Sequence, residues 1–327
     1  MRVARIEEFD GPDVLRVAEE PRPEPGDNEI LIEIRSAGIN RADVLTRGGG
    51  YHAAGQPPIV PGFEGSGIVR GVGDEVEGFG SGDRVFAFGG SPGFYAEYAT
   101  VSRECVVWMP ERLGWDPAAA LSVAPLTAFY CLRRLADLKS GETVLVWAAA
   151  TGVGDAAVQI SKSLGATVIA TAGTDEKVDW ALENGADYGI NHNERDVLEE
   201  TREIVGDAGV AVVLDTVGGR RFGESLKMAG SGGRVVVLAN VALEESVIDT
   251  RDFYPRNVTI YGFQINNLMQ SLGYDPRTDL TELANLAARG ALEVHVDAVF
   301  TLEGAVDAHR YLEARRNRGK VVIHPGE

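Results

Sequence analysis

The residues of this chain that are best suited to chemistry form a glycine-containing segment, Ala148-Ala149-Ala150-Thr151-Gly152-Val153-Gly154, between a β-branched apolar run and an amphipathic stretch. A strand-to-helix turn this short needs glycine where the backbone approaches a pyrophosphate. The N-terminus of the following helix supplies N–H donors and the positive end of a dipole. Because Ala157 takes the third small position of the GxGxxG pattern, a tight turn without a ligand is the alternative. The candidate dinucleotide ligands are Thr151, Gly152, Val153 and Gly154.

The end of the next predicted strand, over residues 167–172, is where the choice between the two nicotinamide cofactors should be made. Enzymes that bind NAD place an acidic residue there to hold the ribose 2′-hydroxyl. Here Gly173 leaves room for a 2′-phosphate, and Thr174 and Lys177 could donate hydrogen bonds to it, which favours NADPH. The alternative is that Thr174 is a helix N-cap and that the two acids after it stabilise the helix dipole.

Two different patterns along the chain predict the elements that must position these residues. Up to about residue 125, Gly and Pro separate short alternating runs, which predicts small antiparallel strands over 29–34, 67–72, 84–88 and 105–109. From about residue 126, β-branched runs alternate with amphipathic segments, as in a doubly wound α/β domain. Its strands are predicted over 143–147, 167–172, 210–215, 234–238 and 258–261. The tail adds a helix over 302–315 and a strand over 320–324.

The charge balance limits the possible partners. The 327 residues include 49 Asp and Glu against 31 Lys and Arg, so the formal net charge is −18. A field of this sign repels nucleic acid and anionic membrane surfaces. No apolar run approaches the ~20 residues that span a bilayer, and the N-terminus has no apolar signal region, so a cytoplasmic protein is expected. With five lysines, the acidic surface suits a high-salt, halophilic cytosol, or an ordinary acidic protein from an arginine-rich proteome.

Further motifs are spread over the chain. They are Ala37-Gly38-Ile39-Asn40 with Asp43, Arg47 and Tyr51, then Val60-Pro61-Gly62-Phe63-Glu64-Gly65-Ser66-Gly67, Gly82-Asp83-Arg84-Val85, Ala96-Glu97-Tyr98, Leu126-Thr127-Ala128 and Asp215-Thr216-Val217-Gly218-Gly219. With the glycine turn, they make the chain resemble, essentially from end to end, the zeta-crystallin-like quinone oxidoreductases of the medium-chain dehydrogenase/reductase superfamily. The resemblance implies a GroES-like β-rich catalytic domain over 1–125 and 290–327 and a doubly wound Rossmann domain over 126–289. It also implies a cofactor in the cleft between them and a homodimer.

By the same resemblance, Asn40, Tyr51 and Thr127 would be the catalytic residues that line the nicotinamide and the substrate. Asn40 and Thr127 offer uncharged donors that polarise a carbonyl, and Tyr51 offers a donor and a flat stacking surface. Each has a structural alternative, since Asn40 could bridge a loop, Thr127 could cap a helix and Tyr51 could fill the core. Asp43 and Arg47 are expected to form an ion pair that orders this loop.

Four further residues are candidate cofactor contacts through their positions. Asn240 follows the fifth strand of the second domain, where the nicotinamide end is expected. His192 stands where relatives often place an aromatic ring against adenosine. Arg315 and Lys320 match the family's basic closing segment and could bind a phosphate. For the two other arginines of that segment, a solvated basic helix end is the alternative.

Catalysis by zinc is not expected. The zinc-dependent alcohol dehydrogenases of the superfamily have Cys and His where this chain has Asn40 and Phe63, and their structural zinc lobe needs four close cysteines. This chain has two, Cys105 and Cys131, too far apart for a disulfide framework or a thiolate site. The histidines lack the spacing of metal ligands; they are His52, His192, His295, His309 and His324.

Without a metal, the chemistry fits a substrate that accepts hydride directly. The expected activity is NADPH-dependent reduction of a quinone or a related electrophilic carbonyl compound. The alternatives are an enal or enoyl reductase that acts on an activated C=C bond, and a non-catalytic NADPH-binding redox sensor. The expected partner is a small-molecule quinone or enone, with no nucleic acid and no membrane.

Overall fold

The computed structural model describes residues 1–51, 55–90 and 93–327. Its strands are β1 (Arg2–Ile6), β2 (Leu15–Glu19), β3 (Glu29–Ile39), β4 (Glu64–Val72), β5 (Arg84–Phe88), β6 (Tyr98–Ser102), β7 (Val106–Trp108), β8 (Thr143–Val146), β9 (Thr167–Ala172), β10 (Tyr188–Asn191), β11 (Val210–Asp215), β12 (Ala229–Val237), β13 (Thr259–Gly262), β14 (Val296–Thr301) and β15 (Lys320–His324). Its α-helices are α1 (Arg41–Arg47), α2 (Trp115–Ala119), α3 (Ala124–Phe129), α4 (Gly152–Ser163), α5 (Asp175–Glu183), α6 (Val197–Val205), α7 (Arg220–Met228), α8 (Ile265–Leu272), α9 (Arg277–Ala288) and α10 (Ala305–Glu313). Helix α3 continues into a π-helical segment, Tyr130–Leu135.

The described residues pack into two compact units. Unit 1 comprises Met1–Leu126 and Met269–Glu327, and unit 2 comprises Thr127–Leu268. The chain returns to unit 1 at Met269, earlier than the predicted residue 290. The reason is that α9 packs against β7 of unit 1.

Unit 2 contains a parallel six-stranded sheet of order β10-β9-β8-β11-β12-β13. The inner strands are buried on both faces, as Val144, Leu145 and Val146 of β8 show, which is why they are short apolar runs. The chain enters at β8 in the middle, proceeds outward to β10, and then crosses to β11 and continues to β13. This is the strand order of a doubly wound dinucleotide-binding sheet, so the predicted Rossmann fold is confirmed.

Unit 1 contains a seven-stranded sheet of order β14-β15-β3-β4-β5-β7, with β6 also paired to β3. The 11-residue strand β3 pairs antiparallel with β4, β6 and β15, so it joins the N-terminal and C-terminal parts of the unit. Strands β14 and β15 pair in parallel. The short antiparallel strands predicted from the Gly and Pro punctuation are present, and the GroES-like fold class is confirmed.

The predicted element positions hold closely where the local pattern is strong. Helix α4 begins after Thr151 and ends at Ser163, with Gly165 in a left-handed conformation (φ 79°) just beyond it. Strand β3 runs further than predicted, to Ile39, because β15 pairs with its last residues. The strand predicted over 105–109 is shorter, since Cys105 lies in a 3₁₀ turn before β7.

Both cysteines are free and buried, one in each unit. Burial raises the pKa of the Cys105 thiol to about 12 and also raises the pKa of the Cys131 thiol. The prediction that these cysteines form no disulfide framework is confirmed. Among the described helices, none combines the length and the apolar character that crossing a membrane requires.

Candidate functional site

The segment between β8 and α4 folds as a tight turn that requires small residues. Ala148 adopts a left-handed backbone conformation (φ 52°), and the Ala149 N–H donates to the Thr171 carbonyl at 2.8 Å. Thr151 caps α4, because its Oγ1 accepts the Gly154 N–H at 3.2 Å and its hydroxyl donates to the Ala148 carbonyl at 2.8 Å. A Cβ on Gly154 would lie 2.6 Å from Ala149 Cα. Glycine at this position is therefore a condition of the turn.

This turn leaves backbone donors available for an anion. The N–H groups of Gly152 and Val153 make no hydrogen bond to any residue that the structure describes, as is usual in the first turn of a helix. Helix α4 is 12 residues long, so its dipole adds positive potential at this end. Of the four residues predicted to bind the dinucleotide here, Gly152 and Val153 present the unpaired donors, whereas the N–H groups of Thr151 and Gly154 are used within the turn. Unpaired N–H groups at a helix start are of the kind that bind a pyrophosphate.

The carboxyl ends of β9 and β10 bring together the residues predicted to contact the adenosine half. The His192 N–H donates to the Ala172 carbonyl at 2.9 Å, and a Cβ on Gly173 would lie 3.4 Å from His192 Nε2. Thr174 caps α5, because its hydroxyl oxygen accepts the Lys177 N–H at 3.4 Å. The alternative that Thr174 is a helix N-cap is therefore correct. The Thr174 hydroxyl retains its own proton for donation, and the strand ends in Ala172 and Gly173 rather than in an acid.

Asn240 and Arg315 lie at the ends of elements. Asn240 is exposed after β12, and its Nδ2 donates to the Glu244 carbonyl at 2.9 Å, which closes the loop that follows. Arg315 is exposed after α10 in a left-handed conformation (φ 54°), the backbone that commonly ends a helix.

Asn266, a second asparagine at the carboxyl edge of the parallel sheet, is absent from the sequence-based predictions. It lies at the start of α8, just after β13, and it is 2% exposed. Neither Oδ1 nor Nδ2 forms a hydrogen bond within the described part of the chain. Burying such an amide unpaired costs about 1–3 kcal/mol, so a ligand group with one donor and one acceptor is favoured there.

Lys320 is buried in an ion pair in unit 1 and does not reach a phosphate site. Its Nζ lies 2.7 Å from Glu64 Oε1, and the two side chains are 5% and 0% exposed. The same ammonium donates to Asn40 Oδ1 at 2.6 Å and to the Ile39 carbonyl at 3.0 Å. Since an ammonium has three protons and each has an acceptor, the prediction that Lys320 binds a cofactor phosphate is wrong.

Asn40 belongs to the same cluster. Its Nδ2 donates to Glu64 Oε1 at 2.8 Å, and its backbone N–H donates to Asp43 Oδ2 at 2.7 Å. The second carboxylate oxygen of Glu64 accepts the Val123 N–H at 2.6 Å and the Ser122 hydroxyl at 3.3 Å. Asn40 therefore bridges a loop, as its structural alternative states. Its side-chain amide is also an uncharged donor within this otherwise charged cluster.

The expected ion pair between Asp43 and Arg47 is not formed. Asp43 lies in the first turn of α1, and its oxygens accept the N–H groups of Asn40 and Gly62, the latter at 2.9 Å. Burial raises the pKa of the Asp43 carboxyl to about 7, although these hydrogen bonds oppose the shift. Arg47 instead forms an ion pair with Glu313 at 2.6 Å. Asp43 accepts from backbone donors at its own helix start and just before β4, whereas Arg47 reaches across to α10.

His309 of α10 is a neutral histidine whose tautomer follows from its partners. Arg47 Nη1 lies 3.1 Å from His309 Nδ1, and a guanidinium only donates, so Nδ1 accepts. The proton therefore resides on Nε2, which donates to the Tyr95 hydroxyl at 3.2 Å. Burial, and then the charge of Arg47, lower the pKa of His309 to about 3.

We expect His309→Asn to remove a pH-dependent part of the stability. An unfolded histidine titrates near pH ~6.5, whereas the folded one titrates near pH 3. Wild type should thus lose stability relative to the variant as pH falls below ~6.5, by at most about 1.4 kcal/mol per pH unit. The raised pKa of Asp43 acts in both proteins and cancels in the difference. Urea unfolding of both proteins at several pH values measures the difference in their free energies of unfolding. A difference that stays constant below pH ~6.5 would contradict the conclusion that His309 is neutral in the folded protein.

The structural alternatives that were considered for Tyr51 and Thr127 do not hold. Tyr51 is half-buried and packs edge-to-face on Phe63 with ring centroids 5.3 Å apart, so it does not fill the core. Thr127 lies inside α3 and is 9% exposed, so it is not a helix cap. His52, one of the histidines considered as ligands, lies outside the described residues.

Glu64 is the buried polar residue that sequence reasoning missed most clearly. A signal was available, because an acid opens the otherwise uncharged and apolar start of β4, and a buried carboxylate needs a cation or several donors. The identity of that cation could not be predicted from the sequence, because Lys320 is 256 positions away along the chain.

Two family models match this chain. The alcohol dehydrogenase GroES-like domain matches residues 26–111, which lie in unit 1. The zinc-binding dehydrogenase family matches residues 152–289, beginning at the first residue of α4.

Similarity to individual proteins extends over nearly the full chain. The chain is 32% identical to the quinone oxidoreductase of Sus scrofa and 34% identical to that of Homo sapiens, and both alignments cover 99% of this chain and 97% of the relative. The structure of Escherichia coli quinone oxidoreductase complexed with NADPH has a TM-score of 0.90 at 30% identity, with 99% of this chain and 100% of that chain covered. An NAD-dependent alcohol dehydrogenase structure has a TM-score of 0.91 at 32% identity, with both chains fully covered (100%).

Proposed function

Since this chain belongs to the quinone oxidoreductase family of the medium-chain dehydrogenase/reductase superfamily, we propose that it reduces a quinone or a related electrophilic carbonyl compound with NADPH. The observation that carries the proposal is the start of α4 after the glycine turn, where the unpaired Gly152 and Val153 N–H groups lie at the carboxyl edge of a doubly wound sheet. Together with the family, this turn assigns the chain to the oxidoreductases that use a nicotinamide cofactor. When bound, that cofactor supplies the hydride.

We propose that the reaction needs no zinc. The proposal is supported by the donor set, because Phe63 has no ligand atom and the Asn40 amide is engaged by Glu64 and Lys320. Neutral groups of this kind suit a substrate that accepts hydride without a Lewis acid.

An absorbance assay of NADPH oxidation tests the proposed function. The purified protein is offered benzoquinones, naphthoquinones and enals in turn, in dilute buffer and in multimolar KCl. We expect the quinones to be reduced fastest, and a chelator to leave the rate unchanged. Faster reduction of enals would make it a C=C reductase, NADPH binding without turnover would make it a sensor, and loss of activity on chelation would overturn the zinc-free proposal.

Lys177→Ala tests the preference for NADPH. If the ammonium binds the 2′-phosphate, the variant should raise the KM for NADPH about tenfold, as loss of one charged hydrogen bond would, and leave the KM for NADH unchanged. Steady-state kinetics with both cofactors measure this. Lys162→Ala is the matched control, because Lys162 lies in the last turn of α4, at the opposite end from the glycine turn, and pairs with Asp187 at 2.8 Å. Equal effects of Lys177→Ala on the two cofactors would remove Lys177 from the phosphate site.

We also propose that the protein is a homodimer that acts in the cytoplasm. The dimer is supported by β13, which ends the parallel sheet and pairs with β12 on one side. Ile260 on this strand is 38% exposed, and Tyr254, in the 3₁₀ turn that precedes the strand, is 63% exposed. An unprotected strand edge with apolar side chains on it and near it favours pairing with a second copy. Light scattering after size-exclusion chromatography should give twice the mass of one chain, and a monomer at micromolar concentration would contradict the proposal.

A further inference from the structure

The Asn40 side chain is held in one orientation by two partners of opposite charge. Its Oδ1 accepts a hydrogen bond from Lys320 Nζ at 2.6 Å, and its Nδ2 donates to Glu64 Oε1 at 2.8 Å. An ammonium only donates and a carboxylate only accepts. Turning the amide over would therefore set the ammonium against N–H donors and the carboxylate against an oxygen. The ion pair thus determines which end of the amide faces which way.

One proton of Asn40 Nδ2 is left for another acceptor. An amide nitrogen carries two protons; one is donated to Glu64, and no other described residue accepts from Nδ2. The ion pair itself is saturated, since Lys320 also donates to the Ile39 carbonyl at 3.0 Å and Glu64 Oε2 accepts the Val123 N–H at 2.6 Å. The free donor of the cluster therefore belongs to Asn40, and neither charged group has one to offer.

Reduction of a quinone requires a donor at the substrate oxygen. Hydride carries two electrons, so its transfer oxidises NADPH to NADP⁺ and leaves negative charge on a quinone oxygen. A proton from water then completes the hydroquinone. An N–H group already in place stabilises that developing charge, whereas an amide oxygen in the same place would repel it.

We propose that Lys320 and Glu64 are positioning residues that hold the Asn40 amide with its nitrogen, and not its oxygen, towards the substrate oxygen. The inference rests on the proposed function, in which Asn40 lines the substrate. It also gives the buried pair a role other than stability, because a buried ion pair adds little net stability over apolar residues of similar volume.

The double variant Lys320→Met/Glu64→Leu tests the inference. It removes both charges together and leaves neither buried alone, so the fold should persist, and it frees the Asn40 amide. We expect kcat to fall about 3- to 10-fold, the cost of ordering one freed side chain, with the KM for NADPH unchanged. Asn40→Ala should lower kcat about 100- to 1000-fold in the wild-type background. In the double-variant background, the same substitution should lower kcat by a factor that is about 3- to 10-fold smaller.

The side-chain amide resonances of Asn40 give a second readout that does not depend on catalysis. In protein labelled with nitrogen-15 asparagine, they are the pair missing from Asn40→Ala. We expect slow proton exchange in wild type, faster exchange in the double variant, and no change in Asp13→Asn, which affects an exposed ion pair. Equal exchange rates and equal kcat in wild type and the double variant would overturn the inference. A wild-type protein that reduces no quinone would overturn the proposed function, and the amide exchange would then still decide whether the ion pair orients Asn40.

Discussion

Replacing Glu64 by leucine is expected to lower the free energy of unfolding by about 3–5 kcal/mol. The substitution leaves the Lys320 ammonium, which is 5% exposed, without the carboxylate that lies 2.7 Å from it. The acceptors that remain, Asn40 Oδ1 and the Ile39 carbonyl, are neutral. They cannot offset the removal of a full charge from water. Urea unfolding at neutral pH measures the loss.

Two further variants make this result specific to the buried pair. Lys320→Met/Glu64→Leu should recover most of the loss, because no charge is then left alone. Asp13→Asn removes an exposed ion pair between Asp13 and Arg310. The Asp13 side chain is 74% exposed and the Arg310 side chain is 51% exposed. This substitution should cost about 1 kcal/mol or less. A loss for Glu64→Leu no larger than that for Asp13→Asn would contradict the buried position of Lys320.

Gly154→Ala is expected to weaken NADPH binding by about 100-fold or more, or about 2.7 kcal/mol. The added Cβ would lie 2.6 Å from Ala149 Cα, so the start of α4 must move away from the turn. That movement displaces the Gly152 and Val153 N–H groups from the place where they can bind a pyrophosphate together. Quenching of tryptophan fluorescence by NADPH measures the dissociation constant.

Gly80→Ala is the matched control for this substitution. A Cβ on Gly80 meets no atom within 4 Å, and Gly80 is not among the glycines with positive φ. We expect its affinity for NADPH to equal that of wild type, and both variants to retain the far-ultraviolet circular dichroism of wild type. An unchanged affinity in Gly154→Ala would remove this turn from the cofactor site.

The glycine turn could be predicted because its requirements are local. The turn needs a helix cap and a residue without a side chain at the point of closest approach, and these appear in the sequence as Thr151 and Gly154, three positions apart. The same holds for the cap at Thr174 and for the end of α4 near Gly165. Capping and chain reversal are satisfied by residues three or four positions apart, so their signals are contiguous.

The polar cluster of unit 1 could not be predicted in this way. Asp43 and Arg47 are spaced as one helical turn and suggest an ion pair, yet Arg47 pairs with Glu313. Lys320 lies in a basic segment and suggests a phosphate ligand, yet it is buried against Glu64. In both cases β15 and α10 bring distant residues beside α1 and the start of β4, and that juxtaposition is a property of the folded sheet.

The sequence by itself determined the fold class, the family, and the position of the glycine turn after the first strand of the parallel sheet. It could do so because apolar periodicity and glycine placement act over short stretches of chain. Only the tertiary structure decided the partners of Asn40, Asp43 and Lys320, the neutral tautomer of His309, and the unpaired amide of Asn266. The physical reason is that hydrogen bonds and ion pairs depend on distances of about 3 Å, and residues far apart in the chain reach such distances only after the sheets have formed.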